Sequence, residues 1–178
     1  CLGGGLEIAM ACHYRIAAQG IQVGQPEVQI GLIPGAGGTQ RLPRLVGLPD
    51  ALQMIATGQA ISSDEGLKKG CVDEVVPVES LLEKALGAAQ RFISGELNHR
   101  NRMTRLQKDR LPNAIMKKMT IAYAKGEAAK KGKGYIAPFK AIEAMERGLS
   151  DDFEADLKIE GELFSDCAVS DVAKNLIG

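Results

Sequence analysis

The chain has 178 residues, of which 45% are hydrophobic and 25% charged, as is typical of a soluble globular protein. Its 22 Lys and Arg residues balance its 22 Asp and Glu residues, so overall charge does not favour nucleic acid or an anionic membrane as a partner. No apolar run approaches the roughly 18 residues that a membrane span requires. The four scattered cysteines form no C-x-x-C pair, which predicts a reduced intracellular protein and disfavours a zinc site.

Short elements separated by tight turns are predicted for residues 1–47, because glycine and proline interrupt the apolar runs there. In chain order we expect a helix over 6–11, strands over 13–17 and 21–23, loops at 24–27 and 34–38, and a helix over 39–47.

Longer helices and one strand are predicted for the remainder of the chain. Ser62 and Glu65 have the spacing of a capping box, so a short helix is expected to begin there and to end at Gly70. Asp151 and Asp152 are expected to cap a later helix. The predicted set is a strand over 71–76 and helices over 49–57, 62–70, 78–93, 112–131, 138–147, 153–164 and 170–176.

The pattern changes near residue 95, where mixed strands and helices give way to helices alone. We therefore predict two units, residues 1–95 and residues 96–178. The chain begins with Cys1 rather than Met and runs directly into a glycine-rich turn, so we expect an earlier segment in the natural protein. The last four residues, 175–178, do not form a peroxisomal targeting signal.

The segment Gly3-Gly4-Gly5-Leu6-Glu7 is the first candidate for chemistry. A helix that begins among glycines has accessible, unpaired N–H donors in its first turn, which suits developing negative charge. Glu7 lies in that first turn, where the helix dipole favours its ionised form. The alternative interpretation is a tight packing turn followed by a glutamate typical of helix starts.

Glu27 is the second candidate. Pro26 stiffens its loop, and the nearby Val23, Val28 and Ile30 suggest a largely apolar setting. A carboxyl group in such surroundings tends to have a raised pKa and can hold a proton to donate. The alternative interpretation is an ordinary glutamate in a surface loop.

A third glycine-rich turn, residues 35–40, precedes a predicted helix. It lacks the Gly-Lys-Ser/Thr ending of a phosphate-binding loop, and no Rossmann spacing surrounds it, so a nucleotide site is not supported. Arg41 and Arg44 follow this turn and are expected on the surface of the helix.

Three segments together resemble the crotonase (enoyl-CoA hydratase/isomerase) family: LGGGLEIAMACHYRIA, VGQPEVQIGLIPGAGGTQRLPRLVG and TGQAISSDEGLKKGCVDEVV, in order across residues 2–76. The likeness is greatest to the peroxisomal multifunctional members, which join enoyl-CoA hydratase to 3-hydroxyacyl-CoA dehydrogenase. Residues 134–178, with YIAPFKAIEAM and GELFSDCAVSDVAKNLIG, resemble the linker before the dehydrogenase part. The resemblance implies an α/β fold, the C-terminal portion of the crotonase ββα spiral, followed by an all-helical region.

The resemblance implies roles for four residues. Glu7 and Glu27 match the two catalytic glutamates of the family. Gly4 matches the glycine whose backbone N–H forms half of the oxyanion hole, and Gly35 matches a glycine beside the catalytic water. The other oxyanion N–H comes in this family from an earlier segment, which we expect to precede Cys1.

The implied reaction is hydration of a trans-2-enoyl-CoA to a 3-hydroxyacyl-CoA in fatty-acid β-oxidation, with no metal and no cofactor besides the CoA thioester substrate. Glu7 would orient and activate the water, and Glu27 would supply the proton at the α-carbon. A Δ3-Δ2-enoyl-CoA isomerase is the alternative within the family, because that reaction can run on Glu27 alone. A catalytically silent acyl-CoA-binding module is the alternative from another class.

The resemblance also bears on partners and compartment. An acyl-CoA is the expected partner, and contact with a CoA phosphate is the alternative to a surface role for Arg41 and Arg44. Multifunctional members are monomers and stand-alone crotonases are trimers or hexamers, and the sequence leaves both open. The compartment is peroxisomal if the multifunctional resemblance holds, and otherwise cytoplasmic or mitochondrial.

Overall fold

A computed structural model describes residues 1–99, 103–131 and 135–177 and shows helices packed around a few short strands. The strands are β1 (Ile16–Ala18), β2 (Gln22–Val23), β3 (Ile61–Ser62) and β4 (Glu74–Val76). The helices are α1 (Gly4–Ala11), α2 (Gly38–Val46), α3 (Leu48–Thr57), α4 (Ser63–Lys69), α5 (Leu81–Ile93), α6 (Ala114–Lys131), α7 (Ala137–Arg147), α8 (Phe153–Ala168) and α9 (Asp171–Ile177). None of the helices in these described ranges is both long and apolar enough to cross a membrane.

The strands form two separate pairs. β1 and β4 are parallel, with Ile16 opposite Glu74, and the chain between them crosses over through three helices. β2 and β3 are antiparallel, with Val23 opposite Ile61. A parallel pair needs a long crossover connection, and α2, α3 and α4 supply it.

Strand β1 begins three residues later than the sequence pattern predicts, and the side chain of Arg15 explains the difference. The Arg15 N–H donates to Asp73 Oδ2 at 2.8 Å, and its guanidinium pairs with the same carboxylate at 2.9 Å. The Arg15 carbonyl accepts from the N–H groups of Asp73 and Glu74. These contacts take the place of a regular ladder before Ile16, so the partner strand begins at Glu74 and not at Cys71.

Local signals located several helix boundaries correctly. The Oγ of Ser62 accepts from the N–H of Glu65 at 3.2 Å, which confirms the predicted cap of α4. Asp152 Oδ1 accepts from the N–H of Ala155 at 3.0 Å and caps α8, whereas Asp151 pairs with Lys108 instead. The pattern did not predict β3, because two residues are too few to show an alternation.

One hydrophobic core joins the early helices to the late ones. α2 packs on α1, α3 and α8, and α7 packs on α3 and α8. The fully buried side chains include Leu42, Leu48, Ile55, Ile142 and Met145. This core fixes α1, α2 and α8 against one another, and those three helices carry the candidate site. The division into units at residue 95 stays a prediction.

Arg44 is buried in this core, so the prediction of a surface position was wrong. Its guanidinium donates to the Gln40 carbonyl at 2.7 Å, pairs with Asp156 at 3.1 Å and lies over the ring of Phe153. Arg44 is 1% exposed and therefore cannot reach a CoA phosphate. Arg41 remains partly exposed.

Candidate active site

Glu7 is held in the first turn of α1 by backbone groups from another part of the chain. Gly3 has a φ of 54°, a conformation that favours glycine, and it begins the helix. The Glu7 side chain is buried, and its Oε1 accepts from the N–H groups of Ala36 at 2.8 Å and Gly38 at 2.7 Å. Two backbone donors on one oxygen fix the position of the carboxyl group.

The turn that binds Glu7 is packed too tightly for any side chain at Gly38. A Cβ there would lie 2.6 Å from Pro34 Cβ and 2.9 Å from Glu7 Oε1. Gly37, the preceding residue, has a φ of 97° and forms the N-cap of α2. The glycines therefore allow the N–H groups at the start of α2 to approach a carboxylate directly.

The variant Gly38→Ala is expected to lose about 1–3 kcal/mol of stability, because the added methyl group would force Pro34 or Glu7 to move. Gly87→Ala is the matched control, since Gly87 lies within α5 and a Cβ there would meet no atom within 4 Å. That control is expected to gain about 0.5–1 kcal/mol from better helix propensity. Urea denaturation of both variants measures the difference, and equal effects would contradict the tight packing at Gly38.

Glu27 opens a 3-10 turn, Glu27–Ile30, and lies partly exposed beside the fully buried Gln25. With its amide nitrogen turned toward Glu27, Gln25 donates to Oε1 at 2.8 Å and to Oε2 at 3.1 Å. With the amide turned the other way, the Gln25 oxygen can accept from a protonated Glu27 while Nε2 donates to the Gly3 carbonyl at 3.5 Å. Gln25 can therefore accommodate both protonation states of Glu27.

Glu7 and Glu27 face the same space. Gly38 adjoins both Glu7 and Gln25, since a Cβ there would lie 2.9 Å from Glu7 Oε1 and 3.2 Å from Gln25 Cδ. Glu27, the partner of Gln25, adjoins the start of α1, since a Cβ on Gly3 would lie 3.1 Å from Glu27 Oε1. Burial raises the pKa of Glu27 to about 7, and the charge of Glu7 acts in the same direction. The structure brings the two predicted glutamates together, while their catalytic roles stay predictions.

The two predicted glycines lie in different surroundings. Gly4 opens α1 and is exposed, its N–H donates to no acceptor in the described ranges, and a Cβ there would meet no atom within 4 Å. An accessible unpaired donor of this kind can bind an oxyanion. At Gly35 a Cβ would lie 2.7 Å from the ring of Phe164, so α8 covers one side of this glycine. The role of Gly35 beside a water stays a prediction.

Sequence reasoning missed a third carboxyl group at the site, the buried Glu160 on α8. It is 1% exposed and binds the turn that also holds Glu7. Burial raises the pKa of Glu160 to about 7, although three hydrogen bonds from the turn oppose this effect and the charge of Glu7 reinforces it. A signal was present in the sequence, because Phe153, Asp156, Glu160 and Leu163 share one helix face by spacing. Two acidic residues on an otherwise apolar face indicate a polar contact in the core.

Stability is expected to fall as the pH rises from about 5 to 7. Glu27 and Glu160 titrate near 7 in the folded chain and near their ordinary 4.5 when unfolded. Between these values the folded state binds more protons, so rising pH favours unfolding. For Glu160 the effect is on the order of 1–3 kcal/mol. Urea denaturation between pH 5 and 8 measures it, and Glu160→Gln should show a flatter dependence. An unchanged pH dependence in that variant would contradict the assignment.

A large cleft of about 610 Å³ lies away from the carboxyl groups, between the start of β1 and α5. Its lining includes Cys12, His13 and Phe92. No group of three or more His, Cys, Asp or Glu side chains suited to a metal ion occurs among the described residues. The chemistry-bearing groups that the fold concentrates are therefore the carboxyl groups around the turn before α2.

Comparison with known proteins identifies the family. The profile of the enoyl-CoA hydratase/isomerase family matches residues 1–137. The chain belongs to this family. The fatty acid oxidation complex subunit alpha of Pseudomonas putida (strain GB-1) is 41% identical over 99% of the chain, and that of Pseudomonas entomophila (strain L48) is 42% identical over the same share. The chain spans about a quarter of the length of these curated relatives, 25% in each case.

Solved structures of hydratases agree with the fold. Carnitinyl-CoA hydratase from Mycobacterium avium matches with a TM-score of 0.59 and 27% identity, over 97% of this chain and 53% of that one. An enoyl-CoA hydratase/isomerase from Pseudoalteromonas atlantica T6c matches with a TM-score of 0.63 over 99% of this chain and 56% of that one. Its 19% identity supports the fold alone. The predicted crotonase-type α/β fold with a helical region is confirmed.

Proposed function

We propose that this chain carries the paired carboxyl groups of an enoyl-CoA hydratase, which adds water to a trans-2-enoyl-CoA to give a 3-hydroxyacyl-CoA in fatty-acid β-oxidation. The observation that supports it most is the contrast between two converging carboxyl groups. Glu7 receives two backbone N–H donors on one oxygen, which hold its carboxyl group in place. Glu27 has a pKa raised to about 7, which favours its protonated form. A carboxyl group fixed by N–H donors beside one that holds its proton near neutral pH suits a base and an acid.

In the proposed reaction the ionised Glu7 takes a proton from water as the water oxygen bonds to the β-carbon. The electron pair of the carbon–carbon double bond moves toward the thioester, and the protonated Glu27 delivers its proton to the α-carbon. Glu7 then holds the proton that came from water, and Glu27 is ionised. Return of one proton from Glu7 to Glu27 through solvent restores the starting state.

The negative charge that gathers on the thioester oxygen needs hydrogen-bond donors. The exposed N–H of Gly4 opens α1 and has no acceptor among the described residues, so it can serve as one of them. A donor of this kind typically contributes about 3 kcal/mol of transition-state stabilisation. With N–H groups and the helix dipole stabilising the charge, the proposal requires no metal ion and no cofactor.

The test is an assay of the complete gene product that carries these 178 residues. Loss of the ultraviolet absorbance of the conjugated enoyl thioester of crotonoyl-CoA reports hydration directly. Turnover supports the proposal. Binding of CoA thioesters without turnover of either a 2-enoyl or a 3-enoyl substrate would leave the silent acyl-CoA-binding module as the function.

A Δ3-Δ2-enoyl-CoA isomerase is the second candidate, and the environment of Glu27 favours it. A carboxyl group with a pKa of about 7 can both take and return a proton at neutral pH, which is all that isomerisation requires. The buried contacts of Glu7 would then have no catalytic use. Hydration is the proposal that uses both carboxyl groups.

The cysteines and the relatives bear on the compartment. The four cysteines are all free, which agrees with a reducing compartment. The Pseudomonas relatives are bacterial and give the predicted peroxisomal location no support. We therefore propose an intracellular acyl-CoA as the partner.

A further inference from the structure

Glu160 binds the same turn as Glu7 but comes from the opposite end of the chain. Its Oε1 accepts from the N–H of Gly37 at 2.5 Å. Its Oε2 accepts from the N–H of Thr39 at 2.8 Å and from the Thr39 hydroxyl at 2.5 Å. The turn is therefore fixed on one side by α1 and on the other by α8.

The four successive N–H groups of the turn alternate between the two carboxyl groups. Ala36 and Gly38 donate to Glu7, and Gly37 and Thr39 donate to Glu160. Because these donors belong to consecutive peptide units, a shift of one pair moves the other. The position of the Glu7 carboxylate therefore depends on the contacts of Glu160.

Glu160 occupies a position where an ionised side chain is costly. Glu160 is 1% exposed, and no lysine or arginine of the described ranges forms an ion pair with it. Among the described residues, the charged groups that act on it or on which it acts are Glu7 and Glu27, which are both acidic. Ionisation of a buried carboxyl group beside two others is penalised, and the three hydrogen bonds from the turn offset part of this cost.

We propose that Glu160 is a positioning residue of the hydration site, which holds the turn at residues 36–39 so that alternate N–H groups fix the Glu7 carboxylate toward the water. This inference rests on the proposed function. It assigns to α8 a part in the chemistry although α8 contributes no group that touches the substrate.

Steady-state kinetics of Glu160→Gln in the complete gene product tests the proposal. The amide keeps the size of the side chain but sets its NH₂ group against N–H donors of the turn. We expect kcat for crotonoyl-CoA hydration to fall about 10²-fold with KM within about threefold, because a misplaced base costs rate and not binding. Glu162→Gln is the control on the same helix, since Glu162 is exposed and forms a surface ion pair with Arg147.

Isomerisation separates positioning from a purely structural role. A Δ3-enoyl-CoA needs Glu27 and not Glu7, so Glu160→Gln should retain isomerisation within about threefold of the wild type. Thr39→Val should lose part of the hydration rate, and Thr39→Ser should recover most of that loss. A parallel fall of both activities, or an unchanged hydration rate, would overturn the proposal.

The geometry can be checked without activity. Crystal structures of the wild type and Glu160→Gln should differ in the distances from Glu7 Oε1 to the N–H groups of Ala36 and Gly38. Unchanged distances overturn the positioning role even if the wild type hydrates crotonoyl-CoA. An inactive wild type with displaced donors in the variant would instead overturn the proposed function and retain the positioning of Glu7.

Discussion

Replacing Glu7 with glutamine is expected to lower kcat for crotonoyl-CoA hydration by about 10³-fold, with KM changed by less than about threefold. Glutamine has the size of glutamate, and its carbonyl oxygen can still accept from the N–H groups of Ala36 and Gly38. The turn before α2 should therefore keep its shape. What is lost is the negative charge that takes the proton from water.

The same Glu7→Gln variant should still isomerise a Δ3-enoyl-CoA, because that reaction uses the carboxyl group of Glu27 alone. Glu83→Gln provides the matched control, since Glu83 lies exposed on α5, away from the site. Rates with both substrates, together with thermal unfolding of each variant, separate lost chemistry from lost folding. A hydration rate above a tenth of the wild-type value would remove Glu7 from the role of base.

Much of the fold could be predicted because its signals are local. A capping serine at Ser62 and a capping aspartate at Asp152 begin helices through contacts with residues three positions further on. The boundary of β1 could not be predicted in this way. It depends on the Arg15–Asp73 pair, whose partners are far apart in sequence and meet only in the folded chain.

The same distinction between local signals and contacts distant in sequence applies to the candidate site. Glu7, Glu27 and the glycines before α2 lie within the first 38 residues, in segments whose order resembles a known family. Glu160 reaches the site from more than 120 residues away, so its contact depends on how α7 and α8 pack on α2 and α3. The helical spacing places Glu160 on the same buried face as Phe153, so its burial could be predicted. The spacing does not show which residues Glu160 contacts.

Arg44 shows why a charged residue on a predicted helix is hard to place from sequence. α2 is buried along most of its length because α3, α7 and α8 surround it. Its polar residues therefore need internal partners, and Arg44 finds Asp156 and the Ser150 carbonyl. Whether an ion pair is buried depends on tertiary packing. The residue pattern of a single helix does not show that packing.

The variant Glu27→Gln is expected to lose both hydration and isomerisation, each by about 10³-fold, because both reactions move a proton at the α-carbon. This outcome distinguishes Glu27 from Glu7, whose loss should affect hydration alone. Glutamine at this position can still form a hydrogen bond with Gln25, so the local structure should remain. Retained isomerisation in Glu27→Gln would exclude this residue as the proton carrier in both reactions.

The pH dependence of the wild-type rates tests the role of Glu27 as proton carrier without a substitution. Hydration needs protonated Glu27, so kcat/KM should fall tenfold per unit as the pH rises above an apparent pKa near 7. Isomerisation begins with ionised Glu27 taking a proton, so its kcat/KM should rise through the same pH range. Glu7 and Glu160 face Glu27 and raise its pKa, so the apparent value belongs to the coupled group. Opposite limbs at one apparent pKa are the result expected if Glu27 acts as the acid in hydration and as the base in isomerisation. Parallel limbs for both reactions would show that a different group carries the proton in one of them.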